Sequence, residues 1–331
     1  MPTAVKKFKL LLPSTMAQAG WQVLGRRPEV EAVAYDANMP AVAFHALLAD
    51  ADGVALSLNS FGAAEIAAGP RVRVVARHGV GYDSVDVPAL TRSGIPLLVT
   101  GIANSPSVAE QALHFMLALA KHGAALHAMV QSNRWGERLK EELPSDLFGK
   151  TLLVVGFGRI GTRIARACLA LGMKVRVYDP YVAAKAIDGA GCVPESDLDA
   201  ALPHADFVTI HCPKNAETTG MFATQRLARM KASACLVNTA RGGIVDEAAL
   251  HRALTTGVIR AAGLDVFDRE PPAADNPLLR LPNVLTAPHM AGVTKESFDR
   301  MAIAVAENLL SVLDGKPNVD NVINREVLQH R

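Results

Sequence analysis

The chain has 331 residues and carries 34 basic against 32 acidic side chains, a formal net charge of +2. No basic block stands out, which leaves no electrostatic footprint for nucleic acid or an anionic membrane. Hydrophobic residues make up 50% and aromatics only 5%, so the length accommodates about two domains with aliphatic cores.

In chain order, Lys6 and Lys7 precede an apolar run, but Pro13 ends it too soon for a signal peptide. Short apolar runs at 8–12, 32–35, 53–56, 72–76 and 96–99 read as strands. Helical patterns at 16–24, 41–48, 63–68 and 87–93 lie between them. Residues 1–102 are therefore expected to form a small α/β layer. Arg77-His78-Gly79-Val80-Gly81-Tyr82-Asp83 follows its fourth strand. The glycines permit a bend that aims backbone N–H groups at an anion; a plain glycine loop reads the same way.

Asn104-Ser105-Pro106-Ser107 starts a long helix, with Ser105 or Ser107 as its cap and Glu110 completing a capping box with Ser107. Glu110, His114 and Lys121 interrupt its apolar face, and it is too short to span a bilayer. Residues 122–150, which include Trp135, read as an arm rather than core.

From Thr151 onward, strands at 151–155, 174–178, 206–210, 234–238, 260–264 and 283–286 alternate with helices, and six is the count of a full dinucleotide-binding domain. The first strand runs directly into Gly156, Gly158 and Gly161 in G-x-G-x-x-G spacing. Asp179 lies 18 residues beyond Gly161, at the end of the second strand. This is the dinucleotide fingerprint in its required context. The glycines serve a tight turn, a close approach to pyrophosphate and close helix–strand packing. The helix N-terminus offers unpaired N–H groups to the phosphates. A carboxylate at Asp179 accepts from ribose hydroxyls and repels a 2′-phosphate. Pro180 and Tyr181 follow it with no arginine to receive that phosphate, so NAD is expected rather than NADP.

Three later segments supply what oxidation of an alcohol beside a carboxylate requires. Arg241, in Asn238-Thr239-Ala240-Arg241-Gly242-Gly243, offers a planar fork for a carboxylate. His289, in Pro288-His289-Met290-Ala291-Gly292, is a general acid/base candidate. Glu270 would orient that imidazole. Asp265 stands in the apolar run Gly263-Leu264-Asp265-Val266-Phe267, where a carboxylate needs partners: a nicotinamide amide or a backbone N–H. All four follow strands, where open α/β sheets bind ligands. Cys168, Cys192, Cys212 and Cys235 are far apart with no C-x-x-C, so neither a zinc site nor a disulfide framework is indicated, no metal is expected, and a reducing cytoplasm fits. A last helix, 295–313, is expected to cross back to the first domain.

On these residues the chain resembles the D-2-hydroxyacid dehydrogenase family over nearly its whole length. The segments that carry the resemblance are ARHGVGYDSVDV, ANSPSVAEQAL, VVGFGRIGTRIA, VYDPY, VNTARGGIVDE, GLDVFDREPP and APHMAGVT. The resemblance implies an α/β fold of two Rossmann-like or flavodoxin-like parallel-sheet domains with an interdomain active-site cleft. Residues 1–102 plus 294–331 would bind substrate and 103–293 would bind NAD. It further implies a homodimer, joined through the nucleotide domain and the arm at 122–150. Arg241 matches the family's substrate-binding arginine, His289 its acid/base and Glu270 the partner acid. Gly156, Gly158, Arg159, Ile160, Gly161, Asp179, Cys212, Pro213, Thr239, Ala240, Arg241, Asp265, His289, Ala291 and Gly292 match cofactor contacts. Arg77, His78, Gly79, Val80 and Gly81 match the substrate side, with Asn59, His78 and Tyr82 placed to set specificity.

The implied activity is reversible hydride transfer between NAD(H) and a small D-2-hydroxy acid/2-keto acid pair: hydroxypyruvate, glyoxylate or a 3-phosphoglycerate-like acid. Phosphoglycerate-type members usually carry an arginine near Ser57–Phe61, and none stands here, although Arg77 matches a second one. The end at Arg331 implies that the regulatory C-terminal domain of longer members is absent. The alternative is an NAD(H)-sensing, corepressor-like binding protein, which would keep the same Arg, Glu and His. Such proteins add disordered tails, and no Pro- or Ser-rich tail is present. A formate-oxidising relative would pair its histidine with glutamine rather than with Glu270.

Overall fold

A computed structural model describes residues 7–57, 59–140 and 142–330. It divides the chain into two compact units, Met1–Asn104 with Val293–Arg331, and Ser105–Gly292.

In the first unit five parallel strands take the order β2-β1-β3-β4-β5. They are β1 Phe8–Pro13, β2 Val30–Tyr35, β3 Gly53–Leu56, β4 Val75–Arg77 and β5 Leu97–Leu98, alternating with α1 Gln18–Gly25, α2 Ala41–Leu48, α3 Ala63–Ala68 and α4 Val87–Arg92. Leu10, Leu11 and Leu12 are all fully buried, because a parallel sheet is covered on both faces. Successive side chains take opposite faces. Leu10 and Leu12 join Val305 and Leu309 of the C-terminal helix, while Leu11 joins Phe44 and Leu48 of α2. The fourth strand lies later than the 72–76 expected. The Val72 and Arg73 amides donate to Gly69 and Asp52 carbonyls, and ladder pairing starts only at Val75.

The C-terminal helix, Lys295–Leu313, is held at its start by a capping box between Thr294 and Ser297 and packs on α1. The two backbones approach so closely that a Cβ on Gly20 would lie 2.6 Å from the Ala302 carbonyl oxygen. Beyond it, buried Asn324 accepts from the Leu97 amide at 2.8 Å and donates to the Ile95 carbonyl at 2.9 Å. One side chain thus stitches the end of the chain to the edge strand β5.

The second unit opens with α5 Ser105–Lys121 and α6 Gly123–Gln131. Its sheet comprises β6 Thr151–Val155, β7 Lys174–Tyr178, β8 Val193–Glu195, β9 Phe207–Ile210, β10 Cys235–Asn238, β11 Ala261–Leu264 and β12 Val284–Thr286. Helices α7 Gly161–Ala170, α8 Ala184–Gly189, α9 Leu198–Ala201, α10 Thr224–Leu227 and α11 Glu247–Thr255 connect the strands. The order is β12-β11-β10-β9-β6-β7-β8, seven strands where six were expected. The extra strand, β8, is three residues at the sheet edge and contains Pro194, so it lacks the apolar run that marks a central strand. α5 begins at Ser105, which puts Ser107, buried, inside the first turn rather than at the cap position expected for it. Pro106 fits there because first-turn amides have no intrahelical acceptor. In the 122–150 segment Met129 and Leu147 are buried, while Trp135, Leu139, Leu143 and Phe148 are exposed; Glu141 lies outside the described residues. No helix among the described residues is long and apolar enough to cross a membrane.

Replacing Asn324 by Ala removes both bonds and leaves a buried amide and carbonyl unpaired. The expected loss of stability is about 2–4 kcal/mol, read as a lowered urea midpoint of the purified chain.

Candidate active site

Strand order fixes where a ligand can lie. The chain leaves β6 toward β7 on one side, and β9 lies on the other, so the order reverses between β6 and β9. Open α/β sheets bind ligands outside the C-terminal strand ends at such a point. The glycine turn occupies that place, and its three glycines have three different surroundings. Gly156 has φ +95°, and a Cβ there would lie 2.6 Å from the Cys212 amide nitrogen. A Cβ on Gly161 would lie 2.0 Å from the Gly156 carbonyl oxygen. A Cβ on Gly158 would meet nothing within 4 Å and would project into open space. Steric need thus explains Gly156 and Gly161, whereas Gly158 keeps an exposed backbone open to approach. Asp179 closes the turn from the β7 side: its Oδ2 accepts from the Phe157 amide at 2.7 Å and its Oδ1 from Tyr181 at 2.9 Å. The other residues expected to contact cofactor border this turn or the next strand ends. Arg159 and Ile160 lead into α7. Cys212 abuts Gly156, and burial pushes its thiol up to about 11, so it is neutral near pH 7. The Pro213 carbonyl accepts from the Thr218 hydroxyl at 2.6 Å. Thr239 is buried with its Oγ1 unpaired among the described residues. An open backbone cradle at the end of β6, with an unpartnered buried hydroxyl at the same end of the sheet after β10, fits a dinucleotide.

Next come the acid/base candidates. Asn238, Leu264 and Thr286 are level across β10, β11 and β12. Arg241, Asp265, Glu270 and His289 follow these residues closely and share one end of the sheet. At a strand spacing of about 4.8 Å, β10 and β12 are roughly 10 Å apart. His289 Nδ1 lies 2.6 Å from Glu270 Oε2, and Glu270 Oε1 accepts from the Phe267 amide at 3.1 Å. His289 has φ +54°, a left-handed conformation uncommon outside glycine, although histidine enters it more readily than most side chains. Asp265, 1% exposed, holds it there. Its Oδ1 accepts from the Met290 amide at 2.8 Å, its Oδ2 from the Ala291 amide at 2.9 Å, and its carbonyl from the His289 amide at 2.8 Å. Burial raises the Asp265 pKa and the two amides act against that rise. Backbone N–H, one of the two partners expected for Asp265, meets both of its oxygens. Ala291 is buried and Gly292 half-buried in the same turn.

Arg241 is half-buried, and its Nη1 donates to the Ala240 carbonyl at 2.7 Å. Its turn is set by Asn238, which sequence reading passed over. The Asn238 Oδ1 accepts from Ala240 at 3.0 Å and its Nδ2 donates to the Arg241 carbonyl at 2.9 Å. An asparagine ending an otherwise apolar strand was the available signal. Gly242 follows, where a Cβ would lie 1.8 Å from the Phe267 carbonyl oxygen, so the loops after β10 and β11 are in backbone contact.

The substrate-side residues lie in the first unit. Arg77 Nη1 donates to the Leu56 and His78 carbonyls at 3.2 and 2.8 Å. Burial and the Arg77 charge hold His78 down at about 4, so it is neutral, with its ring edge-on to Phe298 at 5.0 Å. Gly79 bends at φ +136°, but its own amide donates to the Arg77 carbonyl and is not offered to an anion. Val80 and Gly81 continue that bend. Asn59, expected to face substrate, instead donates to the Ala37 carbonyl at 2.7 Å and accepts from the Tyr35 hydroxyl at 3.3 Å. Tyr82 is exposed. Of the stretch that lacks an arginine, Leu58 lies outside the described residues.

Residues 113–291 match the family profile described as "D-isomer specific 2-hydroxyacid dehydrogenase, NAD binding domain". D-3-phosphoglycerate dehydrogenase of Archaeoglobus fulgidus is 40% identical over 259 residues, 78% of this chain and 48% of that one. Glyoxylate reductase of Korarchaeum cryptofilum is 38% identical over 280 residues, 84% of each chain. The chain spans about half the length of these curated phosphoglycerate dehydrogenases. A crystal structure of D-lactate dehydrogenase from Aquifex aeolicus, complexed with NAD and lactic acid, superposes with TM-score 0.83 at 27% identity, covering 95% of this chain and 99% of that one.

The glycine surroundings separate folding from binding. Gly158→Ala is expected to change stability by no more than about 0.5 kcal/mol and to weaken NADH binding about tenfold or more, because the methyl occupies the approach to the turn. Gly161→Ala is expected to lose more than about 4 kcal/mol, through overpacking against backbone. Thermal melts beside NADH fluorescence titrations distinguish the two.

Proposed function

We propose, for a chain that belongs to the D-isomer specific 2-hydroxyacid dehydrogenase family, that it interconverts a small D-2-hydroxy acid and its 2-keto acid. The observation that carries this reading is the 2.6 Å His289–Glu270 pair at the same sheet end as Arg241 and the glycine turn. NAD, when bound, supplies the hydride acceptor in oxidation and the donor in reduction. Arg241 binds the substrate carboxylate and polarises the carbonyl oxygen through its planar fork. His289 takes the hydroxyl proton in oxidation and returns it to the carbonyl oxygen in reduction. Glu270 ties up Nδ1, which leaves Nε2 for that proton. Asp265 fixes the backbone from which the imidazole projects. In the first unit, the Val80 and Gly81 amides are the proposed donors to a substrate carboxylate, with Arg77 and His78 beside them. Without an arginine among the described residues of the 57–61 stretch, an unphosphorylated acid is the favoured substrate.

We also propose a homodimer joined through the 122–150 segment. Trp135 is 63% exposed, Leu139 76%, Leu143 62% and Phe148 78%. A run of large apolar side chains in water marks an interaction surface.

NADH oxidation with glyoxylate, hydroxypyruvate and phosphohydroxypyruvate tests the activity. His289→Ala is expected to lower kcat by about 10²–10⁴-fold while NADH binding persists. Full activity in that variant would refute the acid/base assignment. NADH binding without turnover of any such acid would favour the corepressor-like reading. For the dimer, Trp135→Glu with Leu139→Glu should shift the sedimented mass from twice the 35.1 kDa chain mass to once that mass. An unshifted mass would place the interface elsewhere.

A further inference from the structure

The glycine turn is flanked by two loops, and a side-chain hydrogen bond joins them. On one side the loop after β7 is tied to the turn by the Asp179–Phe157 bond of 2.7 Å. On the other the loop after β9 abuts it, with the Cys212 amide nitrogen 2.6 Å from where a Gly156 Cβ would stand. From the first loop Tyr181 reaches across and donates its phenol hydrogen to Glu217 Oε2 of the second at 2.5 Å. Since β6 lies between β7 and β9 in the sheet, this bond passes from one side of the β6 end to the other. It closes a ring through Phe157, Asp179, Tyr181, Glu217, Cys212 and Gly156.

Both ends of the span are rigidly mounted. The Tyr181 amide donates to Asp179 Oδ1 at 2.9 Å. The turn that presents Glu217 is built on Asn215, whose Oδ1 accepts from the Glu217 amide at 2.9 Å and from the Thr218 amide at 3.0 Å. Thr218, buried, donates its hydroxyl to the Pro213 carbonyl at 2.6 Å. The backbone anchors need not move for the bond to part. The Tyr181 ring is 76% exposed, and side-chain rotation alone opens the ring. The hydrogen bond to Glu217 raises the Tyr181 pKa, so the phenol keeps its proton and remains the donor at neutral pH.

We propose that the Tyr181–Glu217 bond is a strap over the adenosine half of the dinucleotide crevice, closed in the free protein, which must part for NAD(H) to enter or leave. This rests on the dinucleotide lying across the glycine turn with its ribose at Asp179. A small side-chain gate makes passage slower in both directions without adding a contact to substrate. The strap therefore sets how fast cofactor exchanges, and release rather than chemistry limits turnover in many enzymes.

Stopped-flow NADH fluorescence on the full chain tests it, with Tyr181→Phe, Glu217→Ala and the double variant. A hydrogen bond to a charged acceptor corresponds to roughly tenfold in a rate. Each single variant is expected to raise the NADH association rate constant by about threefold to tenfold, and the double variant no further, since both remove one bond. Glu217→Gln keeps a carbonyl acceptor for the phenol and should stay nearer the unmodified protein. Association rates unchanged in both single variants, with NADH still bound, would overturn the strap alone. Failure of the unmodified protein to bind NADH would overturn the cofactor reading beneath it.

Discussion

One buried carboxylate holds the turn that carries His289 in place. Asp265 lies in an apolar strand end where an ionised group is costly, and the Met290 and Ala291 amides take both of its oxygens. These bonds tie the end of β11 to the segment after β12 and keep His289 at φ +54°. A non-glycine residue in that region costs on the order of 1–3 kcal/mol and persists only where its surroundings over-determine it. With the backbone settled, the imidazole pairs with Glu270, itself held by the Phe267 amide. Histidine orientation follows from a chain of backbone bonds rather than from packing.

A second constraint is steric and acts at the other candidate half of the site. The glycine turn touches backbone on two sides, at Cys212 and within itself, and leaves one face free at Gly158. Only a chain without side chains at all three positions can be that tight and that open together. The flanking loops follow from strand order, which puts Asp179 on one side and Cys212 on the other. The loops after β10 and β11 continue the line, with Gly242 pressed on the Phe267 carbonyl. The glycine turn, Asp179, Arg241 and Asp265 therefore stand at or just past strand ends, where backbone contacts limit their freedom.

The matched family segment, 113–291, falls within the second unit. Relatives are named for phosphoglycerate, glyoxylate and lactate, three small acids that differ beyond the carboxylate and the carbon next to it. In the first unit, Arg77 donates to two backbone carbonyls, His78 is neutral and edge-on to Phe298, and Asn59 is engaged by Tyr35 and Ala37. Arg77 thus stands beside the Gly79 bend through its bond to the His78 carbonyl.

The sequence by itself determined the two α/β layers, the strand that runs into the glycine turn, and the residue types for hydride chemistry. Those features depend on local pattern: apolar runs, glycine spacing, and an acid a fixed distance on. Only the tertiary structure decided that Asp265 serves backbone amides, that the Gly79 amide is already taken, that a seventh strand edges the sheet, and that Tyr181 meets Glu217. Each of these joins residues that are distant in the chain or that carry no periodic signal. Hydrogen bonds of that kind are satisfied by whatever the folded backbone brings within about 3 Å, and no single-sequence pattern encodes that distance.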